Sequence, residues 1–421
     1  MSKTSRILGF YKQPPKKRLE IVKDFANLTE EEVSTLLNTG SLSLDIADRM
    51  IENVVGTIPL PLGIASNFHI NCKDYLIPMA IEEPSVVAAA SNAARIARLK
   101  GGFTTSITGS VMIGQIQIVE FDDSEQVKKE ILSHKDEILK IANEQDPLLL
   151  SLGGGAKDCR VKLLNTFRGP MVISEIYVDV KDAMGANVVN TMAEAVAPLI
   201  ERITGGRVFL RIISNLATER LARAKAVFGK KSVGGEDVVD AIMDAYAFAC
   251  ADPYRAATHN KGIMNGVIAV AIATCNDHRA LEAGAHAYAV KNGKYTSLTT
   301  WEKNEEGDLV GFIEMPMAVG IVGGATKSHP IANIALKILG VKTANELGEV
   351  MAAVGLAQNF AALRALVSEG IQSGHMKLHA RNIAITVGAK GALIDKIAGE
   401  MIREKKIRMD RARELLKKEL R

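Results

Sequence analysis

Lys261 and Asp277 are the residues of this 421-residue chain that first suggest chemistry. They lie sixteen positions apart in DPYRAATHNKGIMNGVIAVAIATCNDHRALEAGAHAYA, which begins at residue 252. HNKGIMNG, with its polar residues and two glycines, reads as a loop where backbone can approach a ligand. The apolar run 267–273 reads as a strand, and Asn276 with Asp277 resembles a helix start ahead of an alanine-rich segment. A strand between the two charges would return both to one cleft. There an ammonium can stabilise negative charge growing on a carbonyl oxygen while the aspartate orients it. The competing explanation is a surface lysine and a helix cap that never meet, because such pairs are also common structural features.

Further candidates flank this stretch. In IPMAIEEPSVVAAASNAARIARLKGG, Pro84 suits a first helical turn, the alanines favour helix, and Gly101 and Gly102 stop it. Its many small side chains suit a helix packed closely at the centre of a large domain. Glu82 and Glu83 sit at its start, where the helix dipole favours the carboxylate, so a catalytic acid there would need burial. Residues 184–187 of DAMGAN form a small-residue turn entering a helix, which suits either tight packing or an anion at the helix N-terminus. Arg255 precedes HNKG in what reads as a loop. His375 and His379 are four apart in HMKLH and could share a helix face, but no HExxH glutamate accompanies them, so no metal is expected.

The elements that must carry these groups follow from pattern. Residues 104–118 alternate and are rich in Thr, Val and Ile. Over 104–216 the order reads strand, helix, strand, strand, helix, strand, a ferredoxin-like plan and not a Rossmann unit, since no GxGxxG follows a strand. Thr29 followed by Glu32 fits a capping box. ENVVGTIPLPLGIASNF, from Glu52, mixes Gly, Pro and apolar residues and reads as an extended, buried segment.

Bulk properties narrow the classes. A chain this long is expected to hold two or three domains. No apolar run approaches the ~20 residues that span a bilayer, and the basic N-terminus lacks an apolar signal core. Four widely spaced cysteines without CxxC suit reduced thiols in a cytoplasm and argue against zinc. Net charge is +4, and residues 403–421 carry nine Lys/Arg against four Asp/Glu. The remainder is near neutral, so no nucleic-acid surface is built into the fold. The basic tail is either a solvated face or a lid that attracts a polyanion.

Five motifs then occur in one order: ENVVG, EEPSVVAAAS, DAMGAN, HNKGIMNG with its downstream Asp277, and GHMKLHA. As an ordered set they resemble the class II (soluble, prokaryotic) hydroxymethylglutaryl-CoA (HMG-CoA) reductases along nearly the whole chain. The resemblance implies an α+β architecture. A large mixed helical domain with a central helix (1–108 and 217–370) would carry an inserted ferredoxin-like dinucleotide-binding domain (109–216) and a small C-terminal helical flap (371–421). It implies NAD(P)H-dependent reduction of HMG-CoA to mevalonate and CoA, or the reverse, in isoprenoid metabolism.

Glu83, Lys261, Asp277 and His375 fall on the family's catalytic positions, with Asp277 coupling Lys261 to Glu83 and His375 protonating the CoA thiolate. Asp182, Met184, Gly185, Ala186, Asn187 and Asn215 fall on cofactor positions. Asp146 falls on one associated with NAD rather than NADP, because a carboxylate accepts from a ribose 2′-hydroxyl and repels a 2′-phosphate. Ser85, Arg255 and Asn265 match contacts to the substrate, Arg255 gripping its carboxylate. Implied partners are HMG-CoA, mevalonate and CoA, and a second copy of the chain in a homodimer with shared active sites, or a trimer of dimers. One departure is Tyr11 followed by Lys12, where the family has an arginine for CoA. Two other classes, another CoA-using enzyme and a non-catalytic binding protein using the basic tail, leave DAMGAN or the catalytic four unexplained.

Overall fold

A computed structural model describes residues 3–291, 293–368 and 371–419, without the side chains of 371–378. The described residues build two large sheets of different construction, beside a two-stranded ribbon of Val290–Lys291 and Lys294–Tyr295. The larger has six strands in the order Thr299–Lys303, Leu309–Pro316, Leu221–Phe228, Phe103–Ile107, Leu62–Ile70, Lys73–Ala80. Neighbours run antiparallel except Leu62–Ile70 and Phe103–Ile107, which are parallel at Ile70 and Phe103.

Against this sheet pack Ala344–Val367, Pro253–Ala273 and Val86–Arg98. The most thoroughly buried is Ala344–Val367, not the alanine-rich helix, whose Leu99 end and Ala88 face stay open. Its 18-residue window of mean hydropathy 1.5 is long and apolar enough to span a bilayer, contrary to the sequence reading. Yet 67% of that window is buried inside the fold, so here it serves as the core helix.

After Ile107 the chain leaves the large sheet and returns at Leu221. In between it forms a four-stranded sheet ordered Gly155–Thr166, Gly169–Asp179, Val111–Val119, Arg207–Ser214, every neighbour antiparallel. With helices after the first and third strands, this is the expected ferredoxin-like plan. Alternate residues explain it: Met112, Ile116 and Ile118 face a core shared with Val189, Met192 and Val196 of the helix Ala186–Thr204. A third small core, around Ala384, Ile397 and Met401, joins the three C-terminal helices.

The expected capping box is present, with Glu32 N donating to Thr29 Oγ1 and Thr29 N to Glu32 Oε2. The segment from Glu52 is extended and buried as expected only in its second half, where Ala65 and Phe68 lie wholly buried in the strand Leu62–Ile70; its first half is not. Val55 is 99% and Ile58 92% exposed, an apolar arm without cover in a single chain.

Candidate active site

The helix Pro253–Ala273 organises the site. Asp252 caps it by accepting from Arg255 N at 3.0 Å, and Pro253 fills the first position, where no N–H is needed. Arg255, Lys261 and Asn265 therefore all stand on one long helix. Here two sequence readings fail: Arg255 and Lys261 are on no loop, and 267–273 is no strand. The run is helical and buried nearly all round, including Val267, Val270 and Ala271. Apolar periodicity cannot separate a buried strand from such a helix. The pair Asp252 and Pro253 was the available signal.

Glu83 approaches from the large sheet. It lies in the turn before Val86–Arg98, which begins at Val86 and not at Pro84. Ser85 precedes the helix with φ +77°, a left-handed conformation costly for a residue with a Cβ. Lys261 Nζ donates to Glu83 Oε2 at 2.9 Å, and Asn265 Nδ2 approaches the same oxygen at 3.4 Å. In the single chain this pair is open to water, the Lys261 side chain 58% and Glu83 32% exposed. Glu83, Ser85, Arg255, Lys261 and Asn265 line one cavity of about 560 Å³. Burial pushes the Arg255 guanidinium down from its ordinary value, and among the described residues no carboxylate pairs with it. Such a cation faces an unmet demand for an anion.

Asp277 behaves as a helix start, as expected, but it does not join this group. Its Oδ1 accepts from Arg279 N (3.0 Å) and Ala280 N (3.1 Å) at the head of His278–Tyr288, and Arg279 Nη2 lies 3.3 Å away. The expectation that a strand brings Asp277 back to Lys261 is therefore not met within one chain. His375 lies on Ile371–Thr386, and its side chain is outside those described.

The DAMGAN residues form a second, separate feature. Gly185 has φ +106°, and a Cβ there would stand 2.8 Å from Val180 Cγ1, so glycine is required twice over. The helix Ala186–Thr204 begins at Gly185 with no side-chain cap. The N–H groups of Ala186, Asn187 and Val188 find no acceptor among the described residues. Asp182 is committed elsewhere, its Oδ1 accepting from Ala344 N at 2.8 Å. Met184 is half-buried, while Asn187 and Asn215 are exposed. Asp146 caps the short helix Pro147–Ser151 through Leu149 N at 2.8 Å.

A link joins this turn to Asp277. Gly320 lies so near Met184 that a Cβ there would stand 2.6 Å from its nitrogen, and Gly320 N donates to Asn276 Oδ1 at 2.7 Å.

Comparison with known proteins bears on this arrangement. A family model described as hydroxymethylglutaryl-coenzyme A reductase matches residues 14–380. The chain belongs to the hydroxymethylglutaryl-coenzyme A reductase family. A reductase of that name from Archaeoglobus fulgidus is 64% identical over 415 residues, 99% of this chain and 95% of the relative. A probable reductase from Borreliella burgdorferi is 38% identical, covering 89% and 87%. The class II reductase of Streptococcus pneumoniae, solved bound to NADPH in open conformations, superposes with TM-score 0.82 at 39% identity over 97% of this chain and 100% of that one. This is a class II HMG-CoA reductase architecture, and the family's reaction, reduction of HMG-CoA to mevalonate, is the activity of this chain.

Two polar residues of this cavity escaped the sequence reading. Gln358 lines the same cavity with its Oε1 buried and without a partner among the described residues. His259 is buried two positions before Lys261. Trp301 Nε1, which can only donate, fixes Asn359 Oδ1 at 2.9 Å. Asn359 Nδ2 must then donate to His259 Nε2 at 3.1 Å, so that nitrogen is bare and the ring neutral. Burial and the nearby Arg255 hold this histidine down to about 3. A polar pair, Gln358 and Asn359, inside the otherwise apolar stretch 350–363 of the core helix was the signal to heed.

Proposed function

We propose that HMG-CoA is reduced at the cavity beside Lys261 and Glu83, with residues 1–108 and 217–370 holding substrate, 109–216 holding a nicotinamide dinucleotide, and 371–421 acting as a flap. The observation that carries this reading is the 2.9 Å contact between Lys261 Nζ and Glu83 Oε2 on a cavity that Arg255, without a carboxylate partner among the described residues, also lines. Arg255 offers a guanidinium fork to the carboxylate of the hydroxymethylglutaryl group, flanked by Ser85 and Asn265.

The dinucleotide fits this chain's own groups. An uncapped 19-residue helix with unclaimed N–H groups suits a pyrophosphate, and the NADPH of the pneumococcal enzyme supports the same class of cofactor. When bound, it supplies a hydride at each of the two reductions. NADH is favoured here because Asp146 uses only Oδ1 as a cap, leaving Oδ2 for a ribose hydroxyl. Asp146→Ala should then shift preference towards NADPH. An unchanged NADH-to-NADPH ratio of kcat/KM would remove Asp146 from the specificity argument.

As the thioester carbonyl oxygen gains negative charge, Lys261 donates to it. His375, on the flap, protonates the departing CoA thiolate so that it does not re-add. Glu83 gives a proton to the aldehyde oxygen as it becomes an alcohol. Asp277 steadies the ammonium from a second copy of the chain. Lys261 stands twelve positions before the end of its helix, about 18 Å along the axis, so its own Asp277 lies beyond reach. The exposed apolar arm of Val55 and Ile58 offers surface for that copy. A homodimer with shared sites follows, with a trimer of dimers as the larger assembly. Four free cysteines suit a cytoplasmic location.

A further inference from the structure

We propose that Arg220 is a positioning residue of the dinucleotide site, a buried cation that holds the 182–187 turn from behind. The proposal rests on assigning that turn to the cofactor's pyrophosphate. Arg220 lies where the chain returns from the four-stranded sheet, just before Leu221–Phe228, and is wholly buried. It forms no ion pair among the described residues. Instead Nη1 donates to Ala183 O (3.1 Å) and Met184 O (3.4 Å), and Nη2 to Val319 O (2.6 Å). Nε is buried without a partner among the described residues.

Burying a guanidinium with only carbonyl partners costs several kcal/mol, so packing alone is a poor reason for it. The carbonyls it holds supply a better one. In a trans peptide the N–H points opposite to the C=O. Drawing Ala183 O and Met184 O towards the guanidinium therefore turns the N–H groups of Met184 and Gly185 away from it. Gly185 N–H joins those of Ala186, Asn187 and Val188, none with an acceptor among the described residues. The result is a run of outward N–H groups with a positive charge behind them, an arrangement that attracts an anion.

Neighbouring carboxylates are spoken for. Asp179 is engaged by Lys181 Nζ at 2.8 Å and Ser110 Oγ at 2.8 Å, and Asp182 by Ala344 N. Burial brings Arg220 down to about 10, so it keeps its charge at neutral pH. Its third carbonyl, Val319 O, precedes Gly320, the residue pressed against Met184. One side chain thus fixes both walls of the turn.

The test uses ADP-ribose, which carries the pyrophosphate without nicotinamide, and HMG-CoA as the control ligand, each titrated by calorimetry into the full-length protein. Arg220→Met should weaken ADP-ribose binding tenfold or more and raise KM for NADH similarly, with HMG-CoA affinity and kcat at saturation within twofold. Arg220→Lys keeps the charge without the fork and should weaken ADP-ribose about threefold; it carries the test if the methionine variant does not fold. Unchanged ADP-ribose affinity in a folded variant, or equal losses for both ligands, overturns the proposal. Asn187→Asp separates the underlying assignment, since a carboxylate at the helix start should repel the pyrophosphate. If that variant binds ADP-ribose normally, the turn is not the cofactor site. If it binds weakly while both Arg220 variants bind normally, only the role of Arg220 falls.

Discussion

Replacing Lys261 by methionine should separate stability from catalysis. In the resting chain the lysine makes one ion pair with Glu83, and its side chain is 58% exposed. Exposed pairs are worth about 0–1 kcal/mol, and methionine keeps most of the stem's packing. For a chain of this size that predicts a Tm shift of less than about 3 °C. In the proposed reaction the same ammonium meets an oxyanion, and removing one such donor typically costs about 3–4 kcal/mol, or roughly 10²–10³ in kcat. Thermal unfolding and cofactor oxidation at saturating HMG-CoA, measured on the same preparation, check both figures. A kcat within tenfold of the parent would refute the oxyanion role. A collapse of Tm in step with activity would show that the pair holds the fold together.

Two other predictions follow from the geometry. If Lys261 and Asp277 of one site come from different copies, mixing Lys261→Ala and Asp277→Ala proteins after subunit exchange should restore about a quarter of parental activity, because half the dimers are mixed and each has one intact site; no recovery would place both residues in one chain. His259 is held neutral, down to about 3 from an ordinary 6.5, so between those values the unfolded chain binds the extra proton and stability falls as pH drops. His259→Gln should flatten the change in urea midpoint between pH 7 and pH 5, whereas an unaltered pH dependence would mean the ring is not held neutral.

What could be read before the fold was known divides along physical lines. The ferredoxin-like insert was legible because half-buried antiparallel strands alternate and their helices do not. Thr29 and Asp277 were legible because capping is local chemistry. The surroundings of Lys261 were misread because a helix buried all round has no polar stripe to reveal its period, and the two glycines of HNKGIMNG weighed towards a loop. Gly266 is there for a different reason: a Cβ would stand 3.0 Å from Val354 Cγ1 of the core helix. Arg220 left no trace at all, since its partners are backbone carbonyls from two distant segments. The arm after Glu52 was read as buried because its composition is that of an interior, and Val55 and Ile58 are instead bare in one chain.

The most direct test of the account is the ratio of cofactor oxidised to thiol released. Purified protein is mixed with limiting HMG-CoA and excess NADH or NADPH, and absorbance at the nicotinamide band is followed beside a thiol-specific dye. Two equivalents of cofactor should be oxidised for each CoA thiol freed, because the thioester must pass through an aldehyde to an alcohol. Thiol release without oxidation of either cofactor would contradict it and make the cavity that of another CoA-using enzyme.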